Sequence, residues 1–495
     1  MFQYWDIVGT LACLALNLYL FRKHAYWTSR SVPFRQPGFL YGNTKAMGRT
    51  EQVGKFFQSF YTDLKGLNPL VGMYHYLRPI ALITDLGFVK RILEVDFECF
   101  QGRGSYCDEK VDSLSGRLYN LVGDRWNKIH NIIAPMFGGN NLKTMFSMLL
   151  TSGKHLRDQL GDKVEAGKEI EIKNWLKQYI PDLMAKSYLG VDIQLKTISR
   201  QEKFKGFLMN YMSKLARILR ISEFKPEVSK HFLKLISAET ESRSKNNIRK
   251  DDFLDMLIQQ LDPNESKEGQ LSFNELAAQA FGFYYAGLET CPALLTWTLY
   301  ELSNAQVMQK KARQHVKTAL AKFNGEICFD SISAMTYLDQ IVNGKGFDMI
   351  SDVRLTLSFA ESLRKYPPIP VLIRETTKNY QIPNTTTTLE AGTPIYIPVY
   401  AIHHDPELYP TPEKFNPERF SMNAKREPYT WIPFGEGPRA CLGKQLSIMQ
   451  AKIVLAYLLI NFRFSIGKKC SMPLQVDVTS FVLTPKNLWL KVERI

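Results

Sequence analysis

The chain has 495 residues, enough for a large buried core, and its 45% hydrophobic and 22% charged side chains exclude both a disordered polymer and a many-span membrane protein. Its 63 Lys and Arg against 48 Asp and Glu leave a net charge of +15, which favours an anionic neighbour. The basic residues are dispersed, which argues against a nucleic-acid partner, and the seven cysteines form no Cys-x-x-Cys pair, which argues against a disulfide scaffold and suits a reducing compartment.

Residues 7–21, IVGTLACLALNLYLF, are the membrane-like stretch, flanked by Tyr4 and Trp5 before it and by Arg22, Lys23 and His24 after it. Fifteen helical residues span about 22 Å, so the flanking aromatics are needed at the interfaces. A cleaved signal would start basic and end in small residues, so residues 1–24 are expected to be a retained anchor, with the following charges holding the body in the cytosol. Residues 25–38, stiffened by Pro33 and Pro37, form a linker. From 39 to 495 helical periodicities dominate, with few β-type runs such as ALIT (81–84) and TPIYIPV (393–399), so one mainly α catalytic domain with a small β region is expected. The polar segments 239–251 and 262–270 read as surface loops. Residues 276–302 read as a long apolar helix interrupted by Gly287, Glu289 and Thr290.

The strongest signal is Phe434-Gly-Glu-Gly-Pro-Arg-Ala-Cys-Leu-Gly443, followed by a helical apolar run. A thiol at a helix start meets unpaired N–H groups and a positive dipole end, which favour the thiolate, a metal ligand. Gly435, Gly437 and Gly443 let the backbone pass close to a flat cofactor, Phe434 shields the sulfur of Cys441, and Arg439 lies within reach of a carboxylate on the cofactor rim.

This run resembles the haem-binding signature F-x-x-G-x-R-x-C-x-G of the cytochrome P-450 monooxygenases at every fixed position. AIHHDPELYPTPEKFNPERF (401–420), AGLET (286–290), KYPPIPVLIRE (365–375) and LTPKNLWLKV (483–492) are similar to the microsomal branch, particularly its insect xenobiotic-metabolising members. The resemblance implies the cytochrome P-450 fold and haem b (iron protoporphyrin IX) ligated by the Cys441 thiolate. It implies NADPH electrons delivered by a cytochrome reductase, with a cytochrome b-type donor as an optional second source. It also implies residence in the endoplasmic reticulum membrane and a small lipophilic substrate, either a xenobiotic or an endogenous compound.

Further roles follow from the resemblance residue by residue. Glu361 and Arg364, with Arg419 of Pro417-Glu-Arg-Phe420, form a buried charge trio; breaking such a network costs about 3–5 kcal/mol, so it governs folding and haem retention. Ala286 and Gly287 border the oxygen groove, Thr290 holds oxygen and a proton-bearing water, and Glu289 helps supply protons. Without that context, a threonine bonded back to its own helix is the ordinary reading. Arg103, Trp126, Arg374 and Arg439 hold the haem carboxylates, and Arg125, Lys128 and Lys444 contribute to a basic face for the reductase. Substrate contacts are expected from 104–120, from 205–225 and from the helix face around Phe283 and Ala286.

Three departures stand out. His130 replaces the arginine of W-x-x-x-R, leaving one hydrogen bond when neutral and weaker haem anchoring. Pro292 removes an N–H and meets the carbonyl of Leu288, which is expected to distort the oxygen groove. Residues 344–360 are an atypical insertion: deleting them aligns Leu338, Val342, Leu363 and Tyr366 in one apolar stripe, whereas Ile350, Val353, Leu357 and Ala360 offer a substitute face. The 17 residues correspond to an in-frame 51 nucleotides, as a retained intron or gene-model error would; transcripts that uniformly contain them would defeat that explanation. A rival function is a haem or hydrophobic-ligand binding protein made catalytically incompetent by the insertion, His130 and Pro292.

Overall fold

The computed structural model describes residues 2–39, 41–165, 169–193, 209, 213–262, 269–335, 354–421 and 426–495. Helices α1 (Phe2–His24) and α2 (Val53–Leu64) precede the hairpin β1 (Leu70–His75) and β2 (Arg78–Ile83). Then come α3 (Leu86–Lys90), α4 (Gly123–Ile133), α5 (Gly139–Glu165), β3 (Ile170–Glu171), α6 (Ile172–Met184), α7 (Ser213–Ile218), α8 (Pro226–Asn246) and α9 (Phe253–Ile258). The central α10 (Phe273–Asn304) leads to α11 (Gln306–Ala321), α12 (Phe329–Ala334) and α13 (Arg354–Lys365). Strands β4 (Leu372–Glu375), β5 (Tyr380–Gln381), β6 (Thr388–Leu389) and β7 (Pro394–Ile397) are followed by α14 (Val399–His403), α15 (Lys444–Asn461), β8 (Phe462–Ile466) and β9 (Trp489–Arg494).

The mainly helical body with a small β region agrees with the sequence. ALIT and TPIYIPV lie side by side in the sheet β1-β2-β7-β4, where Ala81 pairs in parallel with Ile395, and Ile395 pairs antiparallel with Arg374 of β4. Helix α10 starts at a reciprocal cap, in which Ser272 accepts from the Glu275 N–H and the Glu275 carboxylate accepts from the Ser272 N–H. Buried by Leu276, Phe281, Leu295, Leu299 and Leu302, it packs on α6, α13 and α15. Helix α15 is buried continuously from Ile448 to Leu459, as a helix apolar all round must be.

The structure bears on several sequence expectations, and some of them need correction. Helix α1 forms and ends on Arg22, Lys23 and His24, with Ile7, Leu11, Leu14, Leu18 and Phe21 facing outward; among the described residues, however, no helix is long and apolar enough to cross a membrane. Residues 239–246 are the last two turns of α8 rather than loop: Arg243 is buried and pairs with Asp252 at 2.6 Å and with Asp255, so these polar side chains neutralise one another inside the fold. Residues 263–268 lie outside the described residues. Helix α10 runs unbroken through Pro292, and the Pro292 carbonyl accepts the Thr296 hydroxyl at 2.7 Å. Of the insertion, Gly344, Gly346, Ile350 and Val353 lie outside the described residues, as do Leu338 and Val342. Its last residues, from Arg354, open α13, where Ala360 is buried.

Candidate active site

Cys441 precedes α15 by three residues in a loop closed by its own backbone. The Cys441 N–H donates to Phe434 O at 2.9 Å, Gly435 N–H to Ile432 O at 3.1 Å, and Ala440 N–H to Gly437 O at 2.9 Å. The three glycines serve different ends. Gly435 and Gly437 adopt φ of +70° and +75°, and a Cβ on Gly437 would lie 1.9 Å from Leu93 O, so that glycine lets the loop pack on the Leu93 backbone rather than on a cofactor. Gly443 has ordinary φ and presents its N–H to the Cys441 sulfur. The Cys441 side chain is solvent-accessible although protein surrounds it, as for a group lining an internal cleft. The expected lowering of its thiol is not realised: burial pushes the thiol up, outweighing the pull of the Gly443 N–H, Arg103 and Lys444.

Beside this loop the fold collects three guanidiniums. The Glu375 N–H donates to Gly102 O at 2.7 Å, which sets Arg103 next to Arg374 of β4, and Arg103 Nη2 donates to Arg439 O at 3.0 Å. Arg103 lies over the Tyr119 ring and Arg439 over the Trp126 ring, at 4.1 and 4.6 Å. Burial pushes the Arg374 guanidinium down, as do the Arg103 and Arg439 charges; Arg439 is pushed down by burial and by Arg103. Among the described residues none of the three has an ion pair, and each keeps a buried Nε–H without a partner. Three like charges and three orphaned donors fit a doubly anionic group at this edge of the cleft. His130 stacks on Trp126 at 4.6 Å, and burial with the Arg439 charge lowers its imidazole.

The opposite wall is α10. Thr290 Oγ1 donates to Ala286 O at 2.8 Å, and Ala286 is exposed. The next residue, Cys291, is pushed up to about 11 by burial and by its nearness to Cys441, so the two halves of the site meet here. Gly287 turns the other way: its missing Cβ would sit 2.1 Å from Met184 Cε, making it a packing contact with α6 rather than part of the groove. Glu289 is likewise turned outward, 3.8 Å from Lys177 of α6. Phe283 belongs to an aromatic cluster with Phe137, Tyr188 and Phe253. Within 104–120, Asp112 accepts from the Phe224 N–H and the Ser229 hydroxyl, at 3.2 and 3.0 Å, and Arg117 pairs with Glu223 at 2.6 Å, clasping this segment to 221–229. Residues 205–208 and 210–212 lie outside the described residues.

The charge trio assembles. Arg364 grips Glu361 through two bonds of 2.7 and 2.9 Å, both side chains fully buried, and Arg419 Nε stands 3.4 Å from Glu361 Oε1. The basic face is less free than expected: Arg125 binds Glu109 at 2.9 Å and Lys128 binds Glu275 at 3.1 Å, which leaves Lys444, over the Phe434 ring, as the expected cation without an ion pair among the described residues. Sequence reasoning missed His403, which lies within a quoted motif and joins the trio to the cysteine loop.

The cytochrome P450 family model matches residues 32–344 and 347–492. The chain belongs to the cytochrome P450 family. It is 33% identical over 521 residues to a probable cytochrome P450 6a14 of Drosophila melanogaster, covering 99% of both chains. It is 33% identical over 513 residues to cytochrome P450 6A1 of Musca domestica, covering 99% of this chain and 97% of that one. As a P450, the chain is a monooxygenase of a family defined by a haem-thiolate cofactor, and the match breaks only at 345–346, within the stretch 344–360 expected from the sequence to be an insertion.

Proposed function

We propose that Cys441 is the haem-iron ligand and that the chain oxygenates a small lipophilic compound, xenobiotic or endogenous, with NADPH electrons passed on by a reductase. The carrying observation is the cluster of Arg103, Arg374 and Arg439, three guanidiniums, the last two buried, with no ion pair among the described residues and each with an orphaned Nε–H beside a glycine-framed thiol. When bound, haem supplies the oxygen activation and electron storage that side chains lack. The three arginines, with Trp126 and His130, hold the two rim carboxylates. The Gly443 N–H steadies the sulfur, and Phe434 covers it. Thr290, its proton donated to Ala286 O, accepts a hydrogen bond from water in the groove. Glu289 exchanges protons with solvent beside Lys177 and delivers them by swinging inward. Helix α1, apolar outside and basic at its end, attaches the body to the endoplasmic reticulum membrane on its cytosolic side. The intact trio immediately after the insertion favours a working enzyme over a ligand-binding remnant.

The test is the reduced, carbon-monoxide-bound spectrum of the expressed protein, of Cys441→Ala and of a form lacking residues 344–360. A thiolate-type red-shifted Soret band in the first, absent from Cys441→Ala, is expected. A band that survives the substitution overturns the assignment.

A further inference from the structure

His403 closes α14 fully buried, 29 residues before Ile432 and 39 after Arg364. Its backbone and both ring nitrogens are engaged. The His403 carbonyl accepts Arg364 Nη1 at 2.8 Å, Nδ1 lies 3.1 Å from Arg364 O, and Nε2 lies 3.0 Å from Ile432 N. The Ile432 N–H can only donate and the Arg364 carbonyl can only accept, so the ring must carry its proton on Nδ1 and a lone pair on Nε2. A second proton would face the Ile432 N–H head-on. Burial, with the charge of Arg364 and the ring of His404, holds the imidazole far below its ordinary range, in agreement with that single neutral tautomer.

The consequence lies at Ile432. That residue's carbonyl receives the Gly435 N–H, and two residues on, the Phe434 carbonyl receives the Cys441 N–H. Its N–H is therefore the point at which the cysteine loop is pinned to the rigid body, and Arg364, itself locked on Glu361, is what the pin is driven into. We propose that His403 is a positioning residue for Cys441, passing the geometry of the Glu361–Arg364 pair to the start of the cysteine loop and so setting where the sulfur stands. The inference rests on Cys441 being the haem ligand.

Two substitutions in the full chain separate the ring's two bonds. His403→Asn places an amide near Nδ1 and keeps the donor to Arg364 O while losing Ile432; His403→Gln reaches the Nε2 position and keeps an acceptor for the Ile432 N–H. We expect His403→Asn to speed hydrogen exchange of the Ile432 amide about tenfold, the worth of one hydrogen bond. It should also speed, by a similar factor, the conversion of the reduced carbon-monoxide complex from its thiolate-type to its thiol-type band in mild urea. His403→Gln should stay near the parent in both while losing comparable thermal stability. If the two variants behave alike, or if spectral conversion merely follows thermal stability, His403 is an ordinary core residue and the inference falls. The parent protein tests it without any variant: the Ile432 amide should exchange as slowly as those in the middle of α15, and exchange at loop rates overturns the pin. Absence of a thiolate-type band in the parent would instead sink the ligand assignment, while the exchange measurement would still judge the His403–Ile432 bond.

Discussion

Arg364 and the cluster of Arg103, Arg374 and Arg439 both connect to the cysteine loop, and they are built on opposite principles. Arg364 is fully enclosed and bonded through all three of its nitrogens: two bonds to Glu361, one to His403 O and one of 2.7 Å to Pro412 O. Arg103, Arg374 and Arg439 are gathered with one another instead, each with an orphaned Nε–H and no carboxylate among the described residues. A satisfied charge is finished by folding, whereas an unsatisfied cluster is finished by something that arrives afterwards. The first sets the fold, and the second, on the reading proposed above, is the edge that holds an anionic cofactor.

The sharpest way to break this contrast is Glu361→Gln. It leaves Arg364 and Arg419 facing a neutral amide in a closed interior, and a loss of about 3–5 kcal/mol is expected from the urea midpoint. A loss under about 1 kcal/mol would mean that the frame does not decide the fold.

Acid should attack the satisfied side. His404, stacked on Tyr400 at 3.9 Å beside Arg364, is pushed down to about 3 by burial first and by the Arg364 charge next. Its folded value lies below its unfolded one, so the stability it contributes is complete above about pH 6.5 and is lost as pH falls toward 3. Between pH 6.5 and 5 that amounts to about 2 kcal/mol. His404→Phe should flatten the slope of stability against pH by about one proton over that range; parallel slopes would show that the ring titrates freely.

The unsatisfied side predicts the opposite response to losing a charge. Arg374→Met removes one of three repelling cations, so the haem-free chain should unfold at the same urea concentration or a higher one. Haem retention, followed by transfer to an acceptor protein, should fall about tenfold for the lost charge-assisted bond. A variant that loses stability without haem but retains haem normally would place Arg374 in the first group.

Much of this was legible in the sequence because it depends on local order: the glycine-framed cysteine ahead of an apolar helix, the acid and base three apart in Glu361 and Arg364, and the β-type runs that pair in the sheet. What was not legible depends on partners far away. Arg243, Asp252 and Asp255 look solvent-seeking in sequence and become core groups only by meeting. Gly287 looks like a groove residue until Met184 is seen against it, and Arg125 looks like a free surface cation until Glu109 closes on it. The meaning of His403 lies in its tautomer, which two residues dozens of positions away determine.

The smallest expected effect concerns Glu289, which belongs to neither group. It pairs with Lys177 at 3.8 Å with half of its side chain in solvent, a geometry worth no more than about 0.5 kcal/mol. Glu289→Gln should therefore leave the urea midpoint almost unchanged. If the carboxylate also feeds protons toward Thr290, the same variant should turn over more slowly, with a larger solvent isotope effect and more peroxide released per NADPH consumed. A stable variant with unaltered turnover would reduce Glu289 to a surface charge. A variant that loses more than about 1 kcal/mol would make its pairing with Lys177 part of the frame, and the division between finished and waiting charges would then have to be drawn through α10 itself.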